Sequence, residues 1–207
     1  LVWLVGKINE CRRAGMPWMQ ILIGPDSPVP NPRDIKDMWV MARWFVGLGK
    51  KPTFDRWSYW EKFDYWAVWW GLIIVGITGL MLYNLVLTSD FMPGWLINAA
   101  LWIHRIEAVL AMGHIFTIHF TVEHWRPSAF PYNAAMFDGR ITLEEAQDEH
   151  PAWVARLERD GRLDDALVAP PPVPLRILYF VVGYAIISLG IFLLVFAIAN
   201  AALLTLF

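Results

Sequence analysis

Long apolar runs alternate with polar connections along this chain, and the pattern predicts an all-α protein that crosses a membrane three times. Residues 63–86 are apolar and uncharged after Asp64, residues 95–125 are mostly apolar and lack proline, and residues 175–207 carry a charge only at Arg176. At about 1.5 Å per residue, each run is long enough to cross a bilayer. The predicted fold class is an integral membrane helical bundle.

An additional amphipathic helix is predicted over residues 33–48, ahead of the first span. Its apolar residues recur at helical spacing, and Asn31 followed by Pro32 is a suitable N-cap and first helical position. Such a helix fits two settings, the membrane surface or the surface of a partner subunit.

The polar stretch of residues 128–174 predicts a cytoplasmic helical loop between the second and third spans. Thr142 and Glu145 have the spacing of a capping box, and a second polar helix is expected over residues 151–159. His150 lies in a polar connection just before this helix, so we expect it at the surface.

Charge distribution predicts the topology. Lys and Arg are plentiful before the first span and in the 126–176 loop but absent between the first two spans. The positive-inside rule then places loops 6–62 and 126–174 in the cytoplasm, residues 88–94 in an external loop, and the C-terminus outside. The predicted divisions are residues 1–62, 63–127, 128–174 and 175–207.

Composition supports a membrane protein and narrows its chemistry. Hydrophobic residues make up 57% of the 207 positions, and a net charge of −2 gives no basic field for nucleic acid. Cys11 is the only cysteine, which excludes an intrachain disulfide and the paired cysteines that attach c-type haem. Residues 1–5 are apolar without a preceding basic region, so they read as the tail of a preceding helix or as a short interfacial anchor.

The second span carries most of the candidate chemistry. Ionisable residues within a transmembrane helix are costly, so they indicate function. Seven of them lie in this helix: His104, Arg105, Glu107, His114, His119, Glu123 and His124.

His104 and His119 have the spacing expected of two haem ligands. They are fifteen residues apart, which in a regular α-helix is about 22 Å along the axis and about 60° from the same face. Each can therefore ligate the iron of one haem b, near opposite membrane surfaces. The first and last spans contain no histidine, so the second axial ligands are expected from helices outside this sequence.

The other ionisable residues of the helix have two interpretations each. His114 is either a replacement for the second ligand or a polar helix contact. His124 is an alternative ligand, a quinone or haem-propionate contact, or a solvated end residue. Arg105 and Arg126 either pair with propionates or extend toward headgroups. Glu107 either forms a salt bridge with Arg105 or relays a proton during quinol oxidation.

Several motifs together resemble one family. They are PRDIKD (32–37), WFVGLG (44–49), FDRWSYWEKFDYWAV (54–68), His104-x-x-Glu-Ala, IFTIHF (115–120), His124-x-Arg-Pro, Phe130-Pro131, and FDGR (137–140) with Glu149-His-Pro151. The chain resembles the cytochrome b/b6-like membrane proteins that partner multihaem c-type cytochromes in bacterial respiratory quinone complexes. More distantly, it is similar to formate dehydrogenase gamma subunits. The likeness covers nearly all of residues 25–165.

This resemblance implies a bundle in the bacterial cytoplasmic membrane that holds two haems b and exchanges electrons with a quinone. It implies partner subunits, either a multihaem c-type cytochrome or an iron–sulfur protein, and an earlier helix that supplies the other histidines. The family's histidine positions are matched by His104, His119 and His124, whereas His114 departs from the usual apolar residue. The alternative function is a haem-free membrane anchor that docks other subunits of a larger complex.

Overall fold

A computed structural model describes residues 8, 9, 15, 24–127, 129, 130 and 132–204. All regular elements in these ranges are helical. The helices are α1 (Pro32–Phe45), α2 (Tyr59–Tyr83), α3 (Leu85–Phe91), α4 (Gly94–Gly113), a π-helical segment (His114–His124), α5 (Ala135–Asp138), α6 (Leu143–Glu149), α7 (Pro151–Arg159), α8 (Leu163–Ala166) and α9 (Val173–Leu204). The expected helix tail at residues 1–5 lies outside the described residues.

The predicted all-helical class is confirmed for the described residues, and three of these helices are long and apolar enough to cross a membrane. They are α2, the continuous helix formed by α4 and the π segment, and α9 up to Asn200. Only 6%, 6% and 11% of their most apolar windows are buried. Their apolar side chains are therefore left for lipid or for other helices to cover, and the chain is compatible with a multi-pass membrane protein.

The connection between the first two spans is more ordered than predicted. Residues 88–94 were expected to form a loop, but α3 occupies Leu85–Phe91. Asn84 caps this helix, because its side-chain oxygen accepts a hydrogen bond from the Leu87 amide at 3.0 Å. A helix of seven residues is too short to show a clear helical repeat in the sequence.

The described residues divide into two compact units. The first contains residues up to Gly76 together with Thr142–Leu167, and the second contains Ile77–Ile141 and the chain from Val168 onward. Helix α2 contributes residues to both units.

In the first unit, α1 begins at the predicted cap. Asn31 accepts from the amide of Arg33, and Asp34 accepts from the amide of Asn31, which is a capping box. The helix ends at Phe45, and Gly47 follows with a φ of 75°. A side chain rarely adopts that left-handed conformation, so glycine suits this turn.

Helices α6 and α7 pack within the same unit. Thr142 accepts from the Glu145 amide at 3.1 Å, as predicted, and α7 spans the predicted residues. Val154 and Leu157 of α7 are buried. The backbone amide of Ala152 donates to the carbonyl of Phe54 at 3.1 Å, so α7 is hydrogen-bonded to the segment that precedes α2.

In the second unit, glycines of α9 make room for aromatic rings. A Cβ at Gly190 would lie 3.6 Å from the Phe116 ring, and one at Gly183 would lie 3.1 Å from the Tyr132 ring. The ring of Phe137 stacks on Tyr179 with centroids 4.7 Å apart. These contacts pack α9 against the π segment and against the chain that follows it.

Candidate functional site

His104, the first predicted haem ligand, has one ring nitrogen occupied by a neighbouring helix. Its Nδ1 lies 2.9 Å from the hydroxyl of Thr78 on α2, and Thr78 is only 7% exposed. If Nδ1 carries the proton and donates to this hydroxyl, Nε2 holds the lone pair. Histidines that ligate metals usually hold their second nitrogen in such a hydrogen bond, which fixes the tautomer and the ring orientation.

A glycine beside Thr78 lets the His104 ring approach α2. A Cβ added at Gly79 would lie 3.3 Å from Cε1 and 3.8 Å from Nδ1 of His104, whereas one added at Gly76 would meet open space. Gly79 therefore contacts the ring edge that contains Nδ1 and Cε1. The sequence shows a glycine in an apolar span, but it does not show which histidine the glycine contacts, because that contact lies between two helices.

The second half of the histidine helix departs from the regular α-helix assumed in the spacing argument. From His114 to His124 the backbone is π-helical, and the Trp125 amide bonds to the Phe120 carbonyl at 2.9 Å, five residues back. A π-helix has more residues per turn than an α-helix. The offset of about 60° between His104 and His119 was calculated for an α-helix, so it is not valid for this helix.

Two threonines explain part of this departure. The Thr121 hydroxyl donates to the Thr117 carbonyl at 2.6 Å, and the Thr117 hydroxyl donates to the Gly113 carbonyl. In an α-helix, those carbonyls would accept the backbone amides four residues ahead. Hydroxyl groups that bond to the i−4 carbonyl compete with this pattern and disturb helices.

The π segment gathers an aromatic and histidine cluster at its carboxyl end. The rings of His119 and His124 meet edge to face at 5.4 Å, and Phe120 contacts His124 at 5.7 Å. His124 and Phe120 are buried, and His119 is half-buried. Since His119 and His124 come from one helical segment with their rings in contact, they do not flank a haem between them.

A backbone contact assigns the tautomer of His124. The amide of Asn133 donates to Nδ1 of His124 at 3.1 Å, so this nitrogen carries no proton. In a neutral imidazole the proton is then on Nε2. An iron ligand must offer a lone pair, so His124 is suited to donate a hydrogen bond, and this arrangement disfavours the alternative in which it ligates iron.

Arg105 and Glu107, the charged neighbours of His104, do not pair with each other. Within the part of the chain that the structure describes, no hydrogen bond or ion pair is found for either residue, so the salt bridge, one of the two interpretations of Glu107, is not observed. These residues are separated by two positions, and side chains at that spacing do not face each other on a helix. Arg105 is exposed, whereas Glu107 and Arg126 are half-buried.

His150 was predicted to lie at the surface, but this prediction is wrong, since the residue is only 8% exposed. Its Nδ1 lies 2.8 Å from the Asp55 carbonyl, and its Nε2 lies 3.5 Å from Glu61. Burial alone lowers the pKa of His150, but the hydrogen bond and charge of Glu61, followed by the bond to Asp55 and the charge of Glu149, give a net rise. These partners are distant in sequence, so the local polarity gave no sign of them.

The donor chemistry fits one axial ligand for each haem b. His104 has the hydrogen-bonded Nδ1 that a ligating histidine needs, and His119 lies half-buried in the π segment of the same continuous helix. Helices α2 and α9 contain no histidine, so neither span offers a second axial imidazole nitrogen. No group of three or more metal-binding side chains occurs among the described residues, so a metal site built only from this region is not found.

Comparison with known proteins found no matching protein-family model and no matching curated relative. The resemblance to cytochrome b/b6-like proteins therefore stays a prediction from the motifs.

Proposed function

We propose that this chain is a b-type cytochrome subunit that transfers electrons across a membrane between a quinone and partner redox subunits. The observation that carries the proposal is the setting of His104. Its ring lies in a membrane-spanning helix, with Nδ1 bonded to Thr78 and its edge packed on Gly79. This setting leaves Nε2 to act as the ligand nitrogen.

The chain's own residues would bind and orient two haems b. His104 and His119 each supply one axial nitrogen, Thr78 holds the proton on Nδ1 of His104, and His124 donates from Nε2 to an acceptor oxygen such as a propionate or a quinone carbonyl. When bound, haem b supplies one-electron redox chemistry whose potential depends on these ligands and hydrogen bonds. The second ligands come from another helix or another subunit.

The proposed location is the bacterial cytoplasmic membrane, with loops 6–62 and 126–174 on the cytoplasmic side. The partner is a multihaem c-type cytochrome or an iron–sulfur protein, as the motifs imply. The low burial of the three spans supports additional helices, because a haem needs apolar protein on both of its faces.

A reduced-minus-oxidised absorption spectrum of the purified complex tests this function. Haem b is extracted and counted per copy of the chain, and two per copy is the expected result. Complete absence of haem b from the native complex contradicts the proposal.

The alternative is a haem-free anchor that docks other subunits. One observation favours it: a hydrogen bond between Thr78 and His104 also serves as a structural contact between two membrane helices. The spectrum separates the two functions, because an anchor retains its partner subunits but shows no haem b signal from this chain.

A further inference from the structure

The amino end of α1 is tied to the first turn of a membrane span. The Lys62 ammonium of α2 lies 2.9 Å and 3.1 Å from the two carboxylate oxygens of Asp34 on α1. Both side chains are largely buried, at 6% and 13% exposed. Removing either partner leaves a buried charge, so this pair fixes the start of α1 relative to the amino-terminal end of α2.

Two indole groups give the depth of this junction. The indole Nε1 of Trp66 donates to the Pro28 carbonyl at 3.0 Å, and that of Trp57 donates to the Asp26 carbonyl at 3.2 Å. Tryptophans at the end of a membrane span collect at the level of the lipid headgroups. The segment that leads into α1 is therefore held at the membrane surface.

One side of α1 is apolar and uncovered. Its most exposed large apolar side chains are between 52% and 75% exposed and fall, at 100° per residue, within an arc of about 120°. They are Ile35, Met38, Trp39 and Phe45, whereas Trp44, which is 39% exposed, lies outside this arc. Asp34 and Asp37 lie outside this arc and are half-buried. A row of this kind on the surface of a protein indicates a binding face.

The charges around the apolar face select an anionic occupant. Asp34 is paired with Lys62, and Asp37 lies 3.6 Å from Arg33, so the acidic groups of α1 are neutralised inside the unit. Lys36 and Arg43 border the apolar face and are exposed, with no ion pair among the described residues. The outward surface of α1 is thus apolar with a basic border.

We infer that α1 lies in the headgroup–acyl boundary of the bilayer that α2 crosses, with its apolar face in lipid and its basic border against anionic headgroups. The inference rests on the membrane spans and not on haem binding. The tether to α2, the indole depth and the charges favour lipid over a partner subunit, since each places α1 at the surface of the membrane.

Spin labels on the two sides of α1 test this placement. Cys11 is first replaced by serine, and a nitroxide is attached at Trp39→Cys in one variant and at the matched control Lys36→Cys in another. The full chain is reconstituted into vesicles that contain phosphatidylglycerol. We expect the label at 39 to collide with oxygen more than with a water-soluble nickel chelate, and the label at 36 to show the reverse.

Equal nickel accessibility at both positions overturns the inference. A second measurement uses native membranes, so that the result does not depend on reconstitution. A membrane-impermeant maleimide should modify Lys36→Cys several-fold faster than Trp39→Cys, and removal of co-purifying subunits should leave this ratio unchanged. A ratio that disappears when those subunits are removed assigns the face to a protein partner and also overturns the inference.

Discussion

His104 and His150 both have Nδ1 in a hydrogen bond, but they differ in the charge of the groups around the ring. Each has Nδ1 in a hydrogen bond, His104 with the Thr78 hydroxyl and His150 with the Asp55 carbonyl. Nε2 of His150 faces Glu61 at 3.5 Å, whereas the described contacts of His104 place no carboxylate beside its ring. The first histidine has a neutral hydroxyl as its partner, and the second has a carboxylate that favours its cationic form.

The difference shows that the group facing Nε2 decides whether a histidine with an occupied Nδ1 is suited to carry a charge or to bind a metal. A carbonyl oxygen can only accept, so Nδ1 of His150 carries a proton, and Nε2 faces a carboxylate favourably only when it is protonated as well. The hydroxyl at Nδ1 of His104 orients the ring, and an imidazole held in this way can offer its other nitrogen to a metal. The four predictions below test this contrast, from the largest expected effect to the smallest.

Replacing His104 with leucine should remove one of the two haems, because the axial nitrogen is lost outright. Haem b extracted per chain should fall from two to about one. The matched control is His150→Gln, which removes the other histidine of the comparison and should leave haem content unchanged. Loss of haem in the His150 variant, with retention in the His104 variant, would reverse the two assignments.

Replacing His119 with leucine should remove the other haem and leave the one held by His104. The reduced-minus-oxidised spectrum and the haem count measure this. His150→Gln again serves as the control, since His150 lies outside the spans and contacts Asp55 and Glu61. If His119→Leu keeps both haems, the ligand role moves to His114 or His124.

Replacing Gly79 with alanine should weaken one haem without abolishing it. The added Cβ would lie 3.3 Å from Cε1 of His104, so the ring must shift by a few tenths of an ångström. We expect haem content between that of the wild type and that of His104→Leu, with a shifted midpoint potential. Gly76→Ala is the matched control, since nothing lies within 4 Å of its Cβ. Identical behaviour of the two variants would show that close approach at Gly79 does not position the ligand.

Much of the architecture was predictable because its signals are local. Apolar runs long enough to cross a bilayer gave the spans, and Asn31-Pro32 and Thr142 gave the starts of α1 and α6. These features depend on residues within one or two turns of each other. The sequence therefore determines them without knowledge of the tertiary contacts.

The geometry of the site was less predictable because it depends on contacts between distant segments. Thr78 contacts a histidine 26 residues away, and His150 contacts a carbonyl 95 residues away. The π segment depends on hydroxyl bonds at Thr117 and Thr121 that compete with the backbone. Spacing calculated for an α-helix cannot include that competition, so it identified the candidate ligands but not their relative orientation.

The smallest expected effect is a pH dependence of stability that arises from His150. Its pKa is raised above the ordinary value of about 6.5, so the protonated ring stabilises the folded state. This contribution is fully present below the unfolded pKa and is lost as the pH rises through the folded pKa. Its loss should lower the free energy of unfolding by on the order of 1 kcal/mol. Thermal unfolding across this range, followed by tryptophan fluorescence, should show the decline in the wild type, and both His150→Gln and Glu61→Gln should flatten it. A decline that persists unchanged in His150→Gln assigns the pH dependence to another group and removes the cationic half of the comparison.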